Sequence, residues 1–409
     1  MSNDISKDKK VANVPNLRFV SFSQPWKRSP LKSIVSFSKG SGISKSDLSE
    51  QGRNCILYGQ LYTDYSNATQ VNQTTLKTSL NQSDLVISQA GQVLIPASGE
   101  THEDISNSVV INVPGVLIGG DINILTPKQE ILGSFLACCF RGVRKKQIAS
   151  LAQGDSVVHL NSNNLSKLII DYPSIDEQAR ITTFIRLLEA RIEVQNKIIK
   201  DKKELKRGIC EKKINNLQTE LSLNDLIKKG YARTIKPSEL LPFTGQKEYL
   251  STSSINNDGV SQVECKITYE NRPSRACMFP TKNSVWFAKM KNTVKVFKST
   301  DDDDKKYVLS TGFYGLLCEE TKMNADWLYH LFKTNYFNDQ KDRFSEGSSM
   351  SGIKDNQFND IKIKIFENKL EEESFLSFLN LIDCSIQVEI RLLELFQNGK
   401  KYFLANLFI

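Results

Sequence analysis

The sequence predicts an α+β fold: two similar strand-rich domains separated by two long antiparallel coiled-coil helices, arranged as a pseudo-twofold internal repeat. Three observations carry this expectation. Residues 175–208, IDEQARITTFIRLLEARIEVQNKIIKDKKELKRG, form a charged stretch with a thin apolar seam. On both sides lie short β-branched runs cut by Gly, Asn, Ser and Pro. The second half of the chain then repeats the pattern of the first.

In the first region, residues 1–174, RNCILYGQLY, SDLVISQAG, SVVINVPGVLIGG and INIL read as strands. Apolar β-branched runs bounded by turn residues favour extended pairing. EILGSFLACCFRG reads as a helix that stops at Gly142. SKGSGIS, residues 38–44, reads as a loop, because no apolar strand leads directly into its two glycines. Tyr172-Pro173 ends the last strand, and a central helical spacer, 175–213, follows. Asp176 is its expected N-cap, and Glu177 complements the helix dipole. Apolar residues recur at Ile181, Ile185, Leu188, Ile192 and Ile199, then at Leu205 and Ile209. This three–four spacing with charged flanks is a coiled-coil seam. From Asp176 to Lys213 such a helix would be roughly 55 Å long at 1.5 Å per residue.

The third region, 214–367, returns to the strand-rich style with KEYLSTSSI, SVWFAKM, TVKVFKS and KYVLSTGFYGLL. NADWLYHLFKTNYF reads as its helix, and DDDDKK, at Asp301–Lys306, as a solvated hairpin loop. A second helical spacer, 368–409, closes the chain, with Phe375, Leu379, Ile382, Ile386, Ile390, Leu393 and Phe396 on its seam. Between Asp176 and Lys213 there are eleven basic and seven acidic residues, a balance of +4; between Lys369 and Lys401 there are four and six, a balance of −2. Opposite net charges favour the two helices lying against each other.

The repeat is explicit in the sequence. QGDSVVHLNSNNLSKLIIDYP aligns with EGSSMSGIKDNQFNDIKIKIF at an offset of 193, matching Gly154 with Gly347, Leu165 with Phe358, Leu168 with Ile361 and Ile170 with Ile363. At an offset of 194 the helices match, Glu177 with Glu371, Ile181 with Phe375, Ile185 with Leu379, Leu188 with Ile382 and Ile192 with Ile386. Weaker echoes join SDLVIS to NSVWFA and ILYGQLYT to KEYLSTSS. A chain built this way is a strand domain and a long helix, twice over.

Composition narrows the function. The 409 residues exceed one ordinary domain. No apolar run is long enough to span a bilayer. The polar start, MSNDISKDKK, lacks the apolar core of a signal peptide, which places the chain in the cytoplasm. Eight cysteines without a C-x-x-C are expected to be reduced and mostly buried. There is no G-x-x-x-x-G-K-[ST] loop for ATP, no Pro-Pro pair from which an adenine-methylating motif could be built, and no Gly-rich fingerprint for S-adenosylmethionine. His102, His159 and His330 stand in no metal-ligand spacing, and THED, at Thr101–Asp104, reads as polar surface. No catalytic residue, metal or cofactor is therefore expected.

Charge points to an anionic partner. The net charge is +8. Between Asn271 and Thr300 there are seven basic residues (Arg272, Arg275, Lys282, Lys289, Lys291, Lys295 and Lys298) and no acidic one, with Phe279, Trp286, Phe287 and Phe297 interleaved. A second basic cluster, RGVRKK, runs from Arg141 to Lys146. Basic residues mixed with aromatics suit phosphate and base-edge contacts.

VPNLRF at Val14–Phe19, Trp26, GQLYTDY, SDLVIS, QGDSVVHLNSNNLSKLIIDYP running into DEQARI, and the pair SVWFAKM and VLSTGF together resemble the specificity subunit of a type I restriction–modification system. The resemblance covers nearly the whole chain. It implies a target-recognition domain at 1–174 and another at 214–367, each reading part of a bipartite DNA sequence. It implies that the helical spacers at 175–213 and 368–409 pack together and dock two methyltransferase subunits, with motor–nuclease subunits joining for cleavage. It implies that the subunit itself does no chemistry. The second copy departs from the pattern, with Phe366 where the first has Pro173 and Glu372 where the first has Gln178. On this reading the DNA-contacting candidates are Tyr58, Gln60, Tyr62, Ser88, Gln89, Arg144, Lys145 and Lys146 in the first domain. In the second they are Ser251, Ser253, Lys289, Lys291, Lys295, Lys341, Arg343 and Ser348. Lys and Arg would meet phosphates, and Gln, Ser and Arg the base edges. Two other readings compete: a stand-alone DNA methyltransferase or nuclease, which the missing motifs oppose, and a coiled-coil interaction protein with no DNA role, which would lack salt-sensitive DNA affinity.

Overall fold

The computed structural model describes residues 13–81, 85–256, 259–344 and 355–409. Contacts divide the chain into two compact units, Met1–Lys197 with Ile390–Ile409, and Ile198–Glu389. Two helices dominate the secondary structure, a first long helix of 42 residues at Ile175–Asn216 and a second of 38 at Lys369–Asn406. Each unit takes in one strand-rich region and a part of both helices.

In the first unit a five-stranded sheet runs in the order Val35–Lys39, Ile122–Pro127, Gln92–Pro96, Val109–Ile111 and Gln70–Val71. Its three central strands are buried through most of their length, as their β-branched sequences require. A three-stranded sheet pairs Leu48–Ile56 in parallel with Leu117–Ile118 and antiparallel with Leu76–Thr78. The helix Gly133–Arg141 ends before Gly142, and a Cβ at Gly142 would lie 2.3 Å from the Leu404 carbonyl oxygen. Glycine is what lets the second long helix approach there. Lys27–Pro30 pairs with Ile169–Tyr172 just before the first long helix.

The start of that helix is pinned by buried polar groups. Ser174, not Asp176, caps it: the Ser174 Oγ accepts from the Glu177 backbone N–H at 3.5 Å. Arg18 clasps the buried Glu177 carboxylate through two bonds of 2.7 Å. The buried Gln178 amide donates to the carbonyls of Glu130 (3.0 Å) and Pro173 (2.9 Å) and accepts from the Leu132 N–H (2.8 Å). Glu and Gln at this point of the sequence therefore hold the helix to its own domain. In this unit the two long helices run antiparallel: Phe184 meets Phe403 edge-on with centroids 4.8 Å apart, and Glu189 meets Lys400 at 2.6 Å. Ile181 and Ile185 join the core with Leu404, Leu407 and Phe408, while Leu188, Ile192 and Leu393 are half-buried.

In the second unit one four-stranded sheet has the order Ala232–Thr234, Phe313–Cys318, Ser284–Ala288, Val296–Lys298, and the other Cys265–Ile267, Lys247–Leu250, Tyr307–Ser310, Ala276–Met278. Trp286 lies opposite Gly315 across the strands, where a Cβ would sit 2.2 Å from the indole ring. The missing side chain makes the slot that the ring fills. Here too the long helices are antiparallel: Lys202 reaches Ser385 and Glu389, both at 2.7 Å, Lys206 pairs with Asp383 and Lys213 with Glu371. Ile199, Leu379 and Ile386 are buried and Phe375 and Ile382 half-buried. Leu205 departs from the expected seam at 61% exposure. Seam positions beyond Ile199 hold Lys202, Lys206 and Lys213, whose stems lie along the interface while their ammoniums find carboxylates.

The internal repeat extends to topology. Each unit has an antiparallel pair just before its long-helix segment (Lys27–Pro30 with Ile169–Tyr172, and Glu220–Ser222 with Lys362–Lys364). Each has a mainly antiparallel sheet and a second sheet containing one parallel pair. Leu165 and Phe358, Leu168 and Ile361, and Ile170 and Ile363 are all buried, as their alignment requires; Gly347 lies outside the described residues.

Several local expectations are corrected. SDLVIS yields only an isolated bridge from Ile87 to Leu117, and its first two residues lie outside the described ones. NADWLYHLFKTNYF forms two helices, Ala325–Leu331 and Asn335–Phe344, because the buried Thr334 and Asn338 take up carbonyls at the break. DDDDKK carries a short helix, Asp303–Lys306, and joins strands of different sheets, so it is not a hairpin loop. Five cysteines are buried, Cys277 is half-buried, and Cys265 and Cys384 are exposed. Burial pushes the Cys138 and Cys139 thiols up to about 12, which keeps them protonated.

Candidate nucleic-acid interface

In the second unit, parallel pairing of Lys247–Leu250 with Tyr307–Ser310 brings the loops that follow both strands to one edge. The first is a 3₁₀ turn, Thr252–Ser254, with the Ser251 and Ser253 hydroxyls 2.6 Å apart. The second is the turn at Gly312, whose added Cβ would lie 2.8 Å from the Thr252 methyl. A third loop, 289–295, joins Ser284–Ala288 to Val296–Lys298. It is tied to the other two, since the Lys289 N–H donates to Gly312 O (2.9 Å) and Lys295 Nζ donates to Thr252 O (2.6 Å). Ser251, Ser253, Lys289, Lys291 and Lys295 are thus gathered into one cluster, with Ser253 and Lys291 exposed.

Other candidates of this unit serve it differently. Lys341 is 1% exposed, and its ammonium is bound to the loop carbonyls of Met290 and Thr293, so it does not face a ligand. Arg343 is exposed, its Nε on the Asp339 carbonyl (3.2 Å), and Ser348 lies outside the described residues. The basic run around the loop is partly consumed within the fold. Arg272 stacks on Tyr269, Lys282 pairs with Asp301 and Lys298 pairs with Asp326. Trp286, Phe287 and Phe297 are buried core residues and offer no face for base stacking.

In the first unit the strand Leu48–Ile56 leads to the corresponding 3₁₀ turn, Tyr58–Leu61. Tyr58 and Tyr62, with ring centroids 6.2 Å apart, line a cleft of about 1110 Å³ together with Ser44, Lys45, Leu76 and Glu100. Burial and the neighbouring acids hold the Tyr62 phenol above its ordinary range, so the hydroxyl remains a donor. Gln60 is 6% exposed, with its amide spent on Leu57 N–H, Asp64 and Thr75. Ser88 is buried too, donating to Val113 O (2.7 Å) and accepting from Val116 N–H (3.0 Å). Both brace the loops around them and are withdrawn from base contact; Gln89, the next residue, is exposed.

The basic cluster Arg141–Lys146 is likewise divided. Arg141 is half-buried and donates to the carbonyls of Ser108, Ser66 and Tyr65. Desolvation pushes its guanidinium down to about 10. Arg144 bonds at 3.0 Å to the buried Asp171 carboxylate, which Arg28 and Asn13 also reach. Lys145 is half-buried and Lys146 exposed on the short helix Lys145–Ser150. Sequence reasoning missed Ser44 and Lys45, whose loop was passed over as a glycine-rich turn, and Thr252, whose carbonyl anchors Lys295. The echo of ILYGQLYT in KEYLSTSS marked both turns. Among the described residues no group of His, Cys, Asp and Glu could hold a metal ion, and no helix is long and apolar enough to cross a membrane.

Comparison with known proteins gives this arrangement a context. Residues 23–203 match the family model of the type I restriction modification DNA specificity domain. The crystal structure of a type I restriction–modification S subunit from M. genitalium is similar over 97% of this chain and 99% of that one, with 13% identity and a TM-score of 0.54. A chain from a structure addressing complex assembly and conformational transition of the type I system is similar over 94% and 98%, with 12% identity and a TM-score of 0.57. At these identities the structural likeness establishes a shared fold.

Proposed function

We propose that each unit of this chain, a DNA sequence-specificity subunit of the type I restriction–modification kind, reads one half of a bipartite, asymmetric DNA site. It is a recognition subunit and not a catalyst. The observation that carries the proposal is that two topologically equivalent heads end in equivalent loop clusters bearing different side chains. Around the 3₁₀ turn of the first stand Tyr58, Tyr62 and Lys45; around that of the second stand Ser251, Ser253, Lys289, Lys291 and Lys295. Equivalent frames with unlike loops suit two unlike half-sites. The target-recognition domains are residues 1–174 and 214–367, and the helical spacers 175–213 and 368–409.

Subunits of this family act with DNA and with methyltransferase and motor–nuclease subunits. We assign two methyltransferase docking sites, one per repeat, to the outer faces of the long helices. In the first unit Leu187 and Val194, and Leu395 and Tyr402, are exposed at seven-residue spacing; in the second Leu381 and Val388 are. Seven residues is two turns, so each pair shares a face, and such apolar patches mark contact surfaces. Methylome sequencing of cells carrying this chain and its methyltransferase partner tests the whole reading. A split recognition sequence is expected, and replacing 214–367 with the matching segment of another specificity subunit should change one half only. Inserting one helical turn in the first long helix should lengthen the gap between halves. Methylation at a continuous, unsplit sequence would overturn the proposal.

A further inference from the structure

We infer that Lys341 and Asp342 form an internal clamp that fixes the shape of the basic hairpin loop 289–295, and that this shape sets the sequence preference of the second unit. The inference rests on the reading of that hairpin as a DNA-contacting loop. Lys341 lies on the helix Asn335–Phe344, fully buried, and its Nζ donates to Met290 O at 3.2 Å and to Thr293 O. Next to it Asp342 accepts the Asn292 N–H at 3.1 Å and lies 3.4 Å from the Lys341 ammonium. Asn292 has a left-handed backbone, φ 56°, a conformation asparagine tolerates better than most residues. Thr293 Oγ donates across the loop to Met290 O at 2.8 Å. Three backbone groups of the loop, Met290 O, Asn292 N–H and Thr293 O, are therefore held by two neighbouring side chains.

The choice of residue argues for a role. A buried ammonium close to a loop carrying Lys289, Lys291 and Lys295 is costly to desolvate and is repelled by its neighbours. Methionine would fill the same volume at less cost, were stability alone at stake. What methionine cannot do is donate to two carbonyls at once; an ammonium has three donors. Phosphate contact tolerates a loose loop, because it needs only charge nearby. Base-edge contact needs side chains held at fixed positions. Lys341 is accordingly a positioning residue, buried under a loop whose exposed lysine, Lys291, meets the DNA.

The test uses the full chain assembled with its methyltransferase partner, as wild type, Lys341→Met, Asp342→Ala and Lys291→Ala. Hydrogen exchange reads the amides of Met290–Thr293, selection from a random duplex library reads the preference at each half-site, and titration at several salt concentrations reads phosphate contacts. In Lys341→Met and Asp342→Ala, loop exchange should quicken by about tenfold or more, as for a locally opened segment. One half-site should lose about tenfold in discrimination while the other is unchanged, and the salt slope should hold. Lys291→Ala should instead reduce that slope by about one. Unchanged loop exchange in both clamp variants would overturn the clamp, and so would a loosened loop with both half-site preferences intact. A failure of the underlying DNA reading shows separately, as a salt slope indifferent to Lys291→Ala. If Lys341→Met does not fold, Asp342→Ala carries the test, because its side chain is about one-fifth exposed.

Discussion

Removing Lys400 should loosen the second long helix from the first domain by an amount the structure allows to be worked out. Lys400 Nζ donates to Glu189 at 2.6 Å and to the Asn67 carbonyl at 2.5 Å, and the two charged side chains are 12% and 13% exposed. Breaking a buried pair by deleting one partner costs about 3–5 kcal/mol. Two facts lower that figure here. Glu189 keeps hydrogen bonds from the Thr69 N–H (3.0 Å) and hydroxyl (2.8 Å), and the residual exposure admits some water. Lys400→Met should therefore cost about 2–3 kcal/mol, and Glu189→Gln about 1–2, because its amide can still accept from Thr69. The double variant should cost less than the sum by about 1–2 kcal/mol. For a unit of this size each kcal/mol moves the midpoint by roughly 2–4 °C, so Lys400→Met should melt roughly 4–12 °C lower by calorimetry. The shift should survive 1 M salt, since a buried pair is little screened. Additive single variants, or a loss abolished by salt, would show the pair to be a solvated surface contact and refute the reasoning.

His330 gives a pH signature: burial, ahead of the nearby Lys206, Lys333 and Lys298, pushes its imidazole from the ordinary 6.5 down to about 3. The unfolded chain then binds the extra proton between those values, so stability should drop as the pH is lowered through that window, by at most about 1.4 kcal/mol per unit, and His330→Leu should remove that slope in denaturant titrations. Leu205→Glu should be nearly silent in thermal melts, whereas Ile199→Glu should cost several degrees, because one faces water and the other the seam. Gly315→Ala should destabilise the second unit, since its methyl would strike the Trp286 ring, and repair by Trp286→Leu in the same chain would confirm the cause. Leu381→Glu with Val388→Glu should weaken capture of the methyltransferase subunit while leaving the melting temperature unchanged; undiminished capture would remove that face from the docking proposal.

The parts of the fold that follow from periodicity were legible in the sequence. Both long helices, the stop at Gly142 and the repeat with its buried positions depend on local pattern, and the structure has them. Residues whose role depends on what they face were not legible. Lys202, Lys206 and Lys213 occupy seam positions although a search for apolar residues skips them and selects Leu205 instead. Arg141, Arg144, Gln60, Ser88 and Lys341 look like surface polar groups in sequence. All five bind carbonyls, carboxylates or loop amides within the fold. A basic residue aimed at DNA and one aimed at a buried acceptor have the same letter, and only the tertiary neighbour separates them. Trp286 and Phe287 misled in the opposite sense, as aromatics in a basic run that turn inward on alternate faces of a central strand.

The division between frame and loops has a consequence for how the two heads can differ. Frame positions are tied down by several partners each: Asp171 holds Arg28, Arg144 and Asn13, and Gln178 makes three hydrogen bonds while fully buried. A substitution there leaves charges or donors unmatched in the interior, at a cost of several kcal/mol by the usual scale of such losses. Loop-tip positions such as Ser253, Lys291 and Gln89 are exposed, so substitution there is cheap for folding. Between the two lie the residues that belong to neither class: Lys341, Gln60 and Ser88, buried like the frame, and the half-buried Asp342, all of them bonded to the loops. Changing one of them alters loop shape without adding or removing an exposed side chain. Two equivalent frames could thus come to read different sequences by two routes, a change of the exposed side chain or a change of the brace beneath it. The second route would pass unnoticed in any comparison restricted to surface residues.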